Sequence, residues 1–398
     1  MDASDDLLEM EVAGSGVAQA MQARLGPASD WLAEWKFDGI RGQIVKRAGQ
    51  VWVWSRGEEL MSDRFPELQA LAQRWPDGTV VDGEILVWPE EDSASALPGS
   101  ERPGRPAPFA LLQQRIGRKT LNAKVLADAP VSFMAYDLLE AGAMDLRAQT
   151  QTERRDRLEA LAKDLNAGAG PRLWLSPRIE GSDWSALAVE RLKARELGVE
   201  GLMLKHRHSA YGTGRQKRWA GPGADTQEGV LAWWKWKIDP LTIDGVLIYA
   251  QAGHGRRASV YTDYTFAVWN RAPASAEEAR SVVEAIARRE PAVPGALQLV
   301  AFTKAYSGLT DAEFKAVDAV IRQNTLEKFG PVRSVRPTMV FELAFEGIAR
   351  STRHKSGVAL RFPRMQRIRH DKPLHEASTL QDLEHLLAKT PAKVGQDG

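Results

Sequence analysis

The amino-acid sequence predicts an α+β protein of two domains, and three observations support this. The chain has 398 residues, more than one hydrophobic core usually serves. Strand-like and helix-like patterns alternate from Trp31 to Asp239. After Pro240 the pattern changes to short strands interrupted by helices. We therefore expect domains at 31–239 and 240–398, preceded by an acidic, linker-like segment at 1–30.

Composition excludes several classes of protein. The formal net charge is only +1, so any basic surface for nucleic acid must be local. The chain has no cysteine, which excludes disulfides, cysteine-ligated zinc and a cysteine nucleophile, and fits a reducing cytoplasm. No apolar run reaches the roughly 18 residues of a membrane span. We expect a cytoplasmic protein with no membrane partner.

Each element of the first domain has its own local signal. Alternating or continuous apolar runs predict strands at 31–37, 42–47, 51–56, 78–88, 131–139, 198–205 and 231–239. Helical spacing predicts helices at 62–75, 150–165 and 183–197, the second opened by a Thr150-x-x-Glu153 capping box. Residues 89–108 are rich in Pro, Ser and Gly, which is typical of a surface loop.

The second domain is predicted to be a small β-barrel. Short strand patterns occur at 242–251, 263–270, 295–304, 338–348 and 356–364. Two capping boxes, Ser275-x-x-Glu278 and Thr310-x-x-Glu313, open helices between them, and a last helix follows Thr379. Short strands with inserted helices indicate a barrel of the oligonucleotide-binding (OB) type.

Charged residues interrupt strands that would otherwise be apolar. In WWKWK (233–237), period-two alternation places Lys235 and Lys237 on one face and two tryptophans on the other. Burial without partners would be costly for such charges. A nucleoside triphosphate with a divalent metal explains them, since lysines bind phosphate and carboxylates bind the metal. The strands and their ends carry these charges at Lys36, Asp38, Asp82, Glu84, Glu200, Lys205, Lys235 and Lys237.

These segments resemble the ordered motifs of covalent nucleotidyltransferases, and most closely those of bacterial ATP-dependent DNA ligases. The resemblance implies an antiparallel-sheet nucleotidyltransferase (adenylation) domain followed by an OB-fold domain, without the helical DNA-binding domain that usually precedes them. Either the protein is a minimal two-domain ligase or the chain is a truncated core. The matching motifs are KFDGIR (36–41), SRGEE (55–59), VDGEI (81–85), AYDLL (135–139), EGLMLK (200–205), WWKWK (233–237) and RFPRMQRIRHDK (361–372).

The resemblance also implies a reaction and its cofactors. Lys36, in its neutral form, attacks the α-phosphorus of ATP to form a lysyl-AMP and pyrophosphate. AMP passes to the 5′-phosphate of nicked double-stranded DNA, and the 3′-hydroxyl then displaces it. Mg²⁺ or Mn²⁺ offsets phosphate charge. This activity would serve DNA repair, recombination or replication.

Residue roles follow from the same motifs. Lys36 is the expected nucleophile, and Asp38, Glu84 and Glu200 are the expected metal ligands. The motif of Arg361, Arg364 and the Asp371-Lys372 pair is expected to close over ATP. The remaining ATP-binding residues are expected to be Glu34 beside the adenine, Tyr136 stacked on it, Arg41 and Arg56 at the ribose and the nick phosphate, Glu84, and Lys205, Lys235 and Lys237 at the α-phosphate.

One departure and several alternatives stay open. Residues 219–232 form an insert that relatives lack, so either Arg215 or Arg218 could be the arginine that contacts the nucleotide; we assign Arg218. Alone, Lys36 could be an edge-strand lysine. An RNA ligase or capping-type enzyme shares the lysine chemistry, and a non-catalytic DNA-end-binding relic is a further alternative. NAD-dependent ligases add a cysteine-ligated zinc module, which this chain cannot form.

Overall fold

The structure is a computed structural model that describes residues 16–89, 96–118, 120–212, 233–253 and 260–389. The chain divides into two compact units between Asp239 and Pro240. Arg215, Arg218 and the insert at 219–232 lie outside the described residues.

The first unit combines six helices with two β-sheets in its described residues. The helices are α1 Gly16–Leu25, α2 Pro66–Ala72, α3 Phe109–Ile116, α4 Ala123–Asp128, α5 Gln151–Asn166 and α6 Trp184–Leu192. The strands are β1 Trp31–Trp35, β2 Ile40–Arg47, β3 Gln50–Ser55, β4 Thr79–Val87, β5 Val131–Ala141, β6 Met144–Asp145, β7 Trp174–Leu175, β8 Gly201–His206 and β9 Trp233–Lys237.

The larger sheet has the order β3-β2-β4-β5-β6, with β7 added parallel to β5, and the smaller has the order β1-β8-β9. The named pairs other than β5·β7 are antiparallel, as expected. Each sheet covers its own core. Ile44, Val81 and Phe133 belong to the core of the larger sheet, and Trp35 and Leu202 to that of the smaller.

The two faces of the smaller sheet differ as the alternation predicts. Trp234 and Trp236 are buried in the core, which confirms the predicted division of WWKWK. The register places the side chains of the opposite face in line across the three strands. Because directly paired residues share a face, this charged face carries Glu34 and Lys36, Met203 and Lys205, and Trp233, Lys235 and Lys237.

The prediction that residues 1–30 form a linker is wrong for 16–30. Helix α1 buries Val17, Met21 and Leu25, which follow one another at helical spacing. The indole of Trp31 donates to the Leu25 carbonyl at 3.0 Å, and the indole of Trp184 donates to the Gly26 carbonyl at 2.8 Å. These contacts attach the helix to the first unit. Its Gly- and Ala-rich sequence obscured the pattern.

One further prediction needs correction within the first unit. The helix expected at 62–75 is a 3₁₀ turn at Ser62–Arg64 followed by the shorter α2. Proline suits the first helical turn, where its missing N–H is not needed, so Pro66 begins α2. The described part of the expected loop, 96–108, forms neither helix nor strand.

The second unit is a β-structure with three helices among its described residues. Its helices are α7 Ala276–Ala287, α8 Asp311–Gln323 and α9 Leu380–Ala388. Its strands are β10 Leu241–Ala252, β11 Tyr261–Trp269, β12 Leu299–Ala305, β13 Thr325–Phe329, β14 Val332–Val335, β15 Val340–Phe345, β16 Gly347–Arg350, β17 Val358–Arg361 and β18 Arg364–Ile368.

Strand β10 organises this unit, because it pairs with β11 on one side and with β14 and then β15 on the other. The hairpin of β13 and β14 was not predicted, since its charged sequence shows no clear alternation. The Thr310 capping box is confirmed. At α7 only half of the predicted box forms, because the Glu278 carboxylate binds Arg271 and the Ala274 N–H instead.

None of the helices in the described ranges combines the length and apolar character that crossing a membrane requires.

Candidate active site

Lys36 lies at a cavity of about 390 Å³ in the first unit. It follows β1 directly, and its backbone N–H donates to the Gly201 carbonyl at 2.8 Å. The Glu200 N–H in turn donates to the Lys36 carbonyl at 2.8 Å, so the β1–β8 pairing continues to the cavity. The cavity is lined by Lys36, Phe37, Asp38, Gly39, Ile40, Arg41, Ser55, Arg56, Gly57, Glu84 and Glu200.

The Lys36 ammonium forms an ion pair with the Glu200 carboxylate, and both side chains remain partly exposed. Lys237 Nζ lies 3.8 Å from the other oxygen of Glu200. Burial lowers the pKa of Lys235, as do the charges of Lys36, Arg56 and Lys237. The end of the charged face that carries Lys36, Lys235 and Lys237 (the shallow end) therefore concentrates positive charge, which suits phosphate.

Three predicted metal ligands line this cavity: Asp38, Glu84 and Glu200. Burial raises the pKa of Glu84 to about 8, with Lys36 opposing the rise and Asp82 adding to it. Within the described ranges, no three His, Asp or Glu side chains form a preassembled metal site. A set of carboxylates on one cavity still fits Mg²⁺, which takes few protein ligands and keeps several waters. The metal assignment stays a prediction.

Residue 39 must be a glycine, because the lysine motif packs closely against β4 at this position. A Cβ on this residue would lie 2.5 Å from the Ile85 carbonyl oxygen and 2.8 Å from Glu84 Cγ. The contact with the backbone oxygen could not be relieved without displacing β4. The glycine of KFDGIR therefore lets Lys36 and Glu84 line one cavity.

The other end of the charged face, which carries Glu34 and Lys205 (the deep end), is a buried ionic cluster. Glu34 is only 1% exposed, and its two carboxylate oxygens accept hydrogen bonds from Arg155 Nη1 at 3.0 Å and Lys205 Nζ at 2.9 Å. Arg155 also donates to the Ser176 carbonyl at 2.7 Å. Burial lowers the pKa of Lys205, and the Glu34 carboxylate opposes this change.

Aromatic rings enclose the ammonium of Lys205. Its Nζ lies 4.3 Å from the ring centroid of Tyr136 and 4.6 Å from that of Trp233, a cation–π geometry. The structure thus separates Lys205 from Lys235 and Lys237, with which the sequence grouped it, because Glu34 holds its charge. Glu34, Tyr136 and Lys205 are absent from the lining of the Lys36 cavity, as are Lys235 and Lys237. The assignment of all five to ATP stays a prediction.

The predicted terminal motif lies in the second unit. Lys372 Nζ binds Asp244 at 2.6 Å, and Arg369 bridges Asp244 and Asp371 with hydrogen bonds of 2.9–3.2 Å. The Arg361 guanidinium lies 5.0 Å from the ring centroid of Phe362. The ATP-binding roles expected for Arg361 and Arg364 also stay predictions.

Two family models match the chain. The ATP dependent DNA ligase domain covers residues 15–220, and the ATP dependent DNA ligase C terminal region covers residues 286–372. The chain belongs to the ATP-dependent DNA ligase family. This confirms the resemblance and the fold class expected from the sequence, an adenylation domain followed by an OB-fold domain.

Curated relatives agree with this membership. The chain is 35% identical over 94% of its length to a "Probable DNA ligase" of Opitutus terrae, and 32% identical over 89% of its length to one of Koribacter versatilis. It spans only 35% and 56% of the lengths of these relatives. A solved structure from a structure–function analysis of Lig E DNA ligases matches 86% of this chain and 94% of its own, at 18% identity and a TM-score of 0.50. That likeness concerns the fold.

The sequence analysis assigned no individual role to several residues that surround the site of this family member. Asp82, Tyr211 and Trp233 all contact Arg41. A signal existed for Asp82, which alternates with Glu84 and therefore shares its face. Tyr211 lies outside the seven motifs, so no sequence signal indicated it. Arg155 was hidden because a charged residue on a polar helix gives no sign of burial.

Proposed function

We propose that this chain is an ATP-dependent DNA ligase that seals nicks bearing a 5′-phosphate and a 3′-hydroxyl through a covalent lysyl-AMP. The observation that carries the proposal is the position of Lys36, which lines a cavity with three carboxylates and two arginines, on a sheet face that also presents Lys235 and Lys237. Membership of the ligase family supports this proposal.

In the first step, the Lys36 amine forms a bond to the α-phosphorus of ATP while the bond to pyrophosphate breaks. The ion-paired Glu200 carboxylate is the nearest acceptor for the proton that Lys36 must lose. Lys235 and Lys237 offset the charge that develops on the phosphate oxygens. Asp38, Glu84 and Glu200 would hold Mg²⁺ or Mn²⁺, which supplies further charge neutralisation.

In the second step, a 5′-phosphate oxygen of the nick attacks the same phosphorus and the P–N bond to Lys36 breaks. In the third, the 3′-hydroxyl attacks the activated 5′-phosphate, and AMP leaves with the bridging oxygen. We propose that the chain acts as a cytoplasmic, nucleoid-associated monomer in DNA repair, recombination or replication. The absence of cysteine supports a reducing compartment.

The test is incubation with α-labelled ATP and Mg²⁺, followed by denaturing electrophoresis. We expect a covalent label on the wild type, and none on Lys36→Ala. A matched control is Lys46→Ala, which removes a lysine that binds the Gly49 carbonyl away from the cavity. Sealing of DNA and RNA nicks is then compared. An unlabelled wild type, or a label that persists in Lys36→Ala, contradicts the proposal.

A further inference from the structure

Arg41 is held by a carboxylate that solvent cannot reach. Asp82 is fully buried on β4, and its two oxygens accept hydrogen bonds from Arg41 Nε at 3.3 Å and Nη2 at 2.5 Å. Arg41 and Glu84 are paired across β2 and β4, and Asp82 lies two residues before Glu84 on the same face. The bidentate contact therefore fixes the guanidinium plane beside the cavity.

Tyr211 completes this contact through its hydroxyl group. The hydroxyl donates to Asp82 Oδ2 at 2.8 Å and accepts from Arg41 Nη2 at 2.8 Å and from Gln43 Nε2 at 3.2 Å. A hydroxyl has one donor and two acceptor sites, so all of them are used. Burial raises the pKa of Tyr211, and Asp82 adds to the rise, so the hydroxyl keeps the proton that it donates.

Trp233 also contacts the Arg41 guanidinium, through its indole ring. The Arg41 Cζ lies 5.2 Å from the centroid of the indole, and the ring of Tyr211 meets the same indole edge-on at 6.1 Å. The indole N–H donates to Gln151 on α5 at 3.1 Å, which fixes the ring. Residues from β4, β9 and the segment after β8 therefore converge on one arginine.

One end of the Arg41 guanidinium remains available to a ligand. Nε and Nη2 bind Asp82 and Tyr211, whereas Nη1 makes no hydrogen bond within the part of the chain that the structure describes. The side chain lines the Lys36 cavity and is 32% exposed. Two N–H groups are thus left for an anionic oxygen near Lys36.

We propose that Asp82, Tyr211 and Trp233 are positioning residues, which fix Arg41 before substrate arrives so that its Nη1 binds a phosphate oxygen. The inference rests on the proposed nick-sealing function, because that function supplies the phosphate, either in ATP or at the nick. Fixing the guanidinium in advance removes the ordering cost that a mobile arginine incurs on binding.

The first test is a double-mutant cycle on Arg41→Ala and Tyr211→Phe. Loss of a hydrogen bond that orients a charged group lowers a rate by about 10-fold. We expect this fall for Tyr211→Phe either in AMP labelling or in sealing of a pre-adenylated nick, according to which phosphate Arg41 binds. In the Arg41→Ala background, Tyr211→Phe should have no further effect.

A control separates positioning from a structural role. Tyr249→Phe removes a hydroxyl from a part-exposed tyrosine of the second unit, and should match the wild type. Urea unfolding of each variant shows whether the fold is retained. An unchanged Tyr211→Phe, or a loss that multiplies with that of Arg41→Ala, would overturn the inference.

The second test does not depend on catalysis. In the Lys36→Ala background, the affinities for ATP and for a nicked duplex are measured by titration. Arg41→Ala and Tyr211→Phe should each weaken the same one of these ligands, by about 10-fold for Tyr211→Phe. If the variants bind both ligands as tightly as the Lys36→Ala parent does, the inference is overturned even if the enzyme seals nicks. An unlabelled wild type whose binding still depends on Tyr211 would contradict only the proposed function.

Discussion

The two ends of the charged sheet face use the same residue types in opposite ways. At the shallow end, the Lys36 and Glu200 side chains are 17% and 19% exposed and line the cavity. At the deep end, those of Glu34 and Lys205 are 2% and 1% exposed, and both oxygens of Glu34 are bound. The charged side chains at the shallow end can bind a substrate in place of each other. Those at the deep end neutralise each other and are shielded from solvent.

The difference follows from the cost of desolvating charge. A buried ion must be paired and hydrogen-bonded, and removing its partner destabilises the protein more than the pair itself contributes. A partly exposed ion recovers water when its partner leaves. The comparison therefore predicts that substitutions at the deep end act on stability, and that those at the shallow end act on the reaction.

The largest expected effect is the contrast between Glu34→Ala and Glu200→Ala. Glu34→Ala leaves Lys205 buried without its ion-pair partner and leaves Arg155 paired only with the part-exposed Glu159, so the free energy of unfolding should fall by about 3–5 kcal/mol. Glu200→Ala should change it by less than about 1 kcal/mol, yet abolish AMP labelling. Urea unfolding and labelling of both variants measure this. Equal losses of stability would remove the distinction between the two ends.

A smaller effect is expected for a pair of lysines. Lys205→Met leaves one oxygen of Glu34 without its partner, so the unfolding free energy should fall by about 1–3 kcal/mol. Lys235→Met should leave stability unchanged, because it removes a cation that Lys36, Arg56 and Lys237 repel. Its AMP labelling should fall by about 100-fold, as when a donor to a developing charge is lost. Normal labelling by Lys235→Met would argue against the phosphate role.

The last expected effect is a pH dependence of stability caused by Glu84, which lines the Lys36 cavity. The pKa of Glu84 is about 8 in the folded protein, above its ordinary value of 4.5. Between these values the folded state holds a proton that the unfolded state has lost, so the unfolding free energy should decline as pH rises from 5 to 8. In EDTA, Glu84→Gln should lack this decline. A difference between wild type and variant that stays constant with pH would contradict the shifted pKa.

The sequence predicted the shallow end well, for a local reason. Period-two alternation in a strand fixes which side chains share a face, so Lys235 and Lys237 were separated correctly from Trp234 and Trp236. Gly39 could likewise be recognised as part of a motif, although only the structure shows that Ile85 and Glu84 exclude a Cβ there.

The deep end could not be predicted, because its partners come from distant parts of the chain. Arg155 lies 121 residues from Glu34, and Lys205 lies 171 residues from it. No local pattern distinguishes a buried arginine on a charged helix from a solvated one. Helix α1 was missed for a different reason, since its Gly- and Ala-rich sequence obscured a local pattern.

The sequence by itself therefore determined the fold class and the family, and it predicts which lysine is reactive, since these inferences rest on local periodicity and on the order of short motifs. Only the tertiary structure decided which charges are free to meet a substrate. That depends on whether distant residues neutralise and bury them, as Glu34 does for Lys205 and as Asp82 and Tyr211 do for Arg41. Burial and pairing are properties of the assembled sheets, and no segment of the chain encodes them alone.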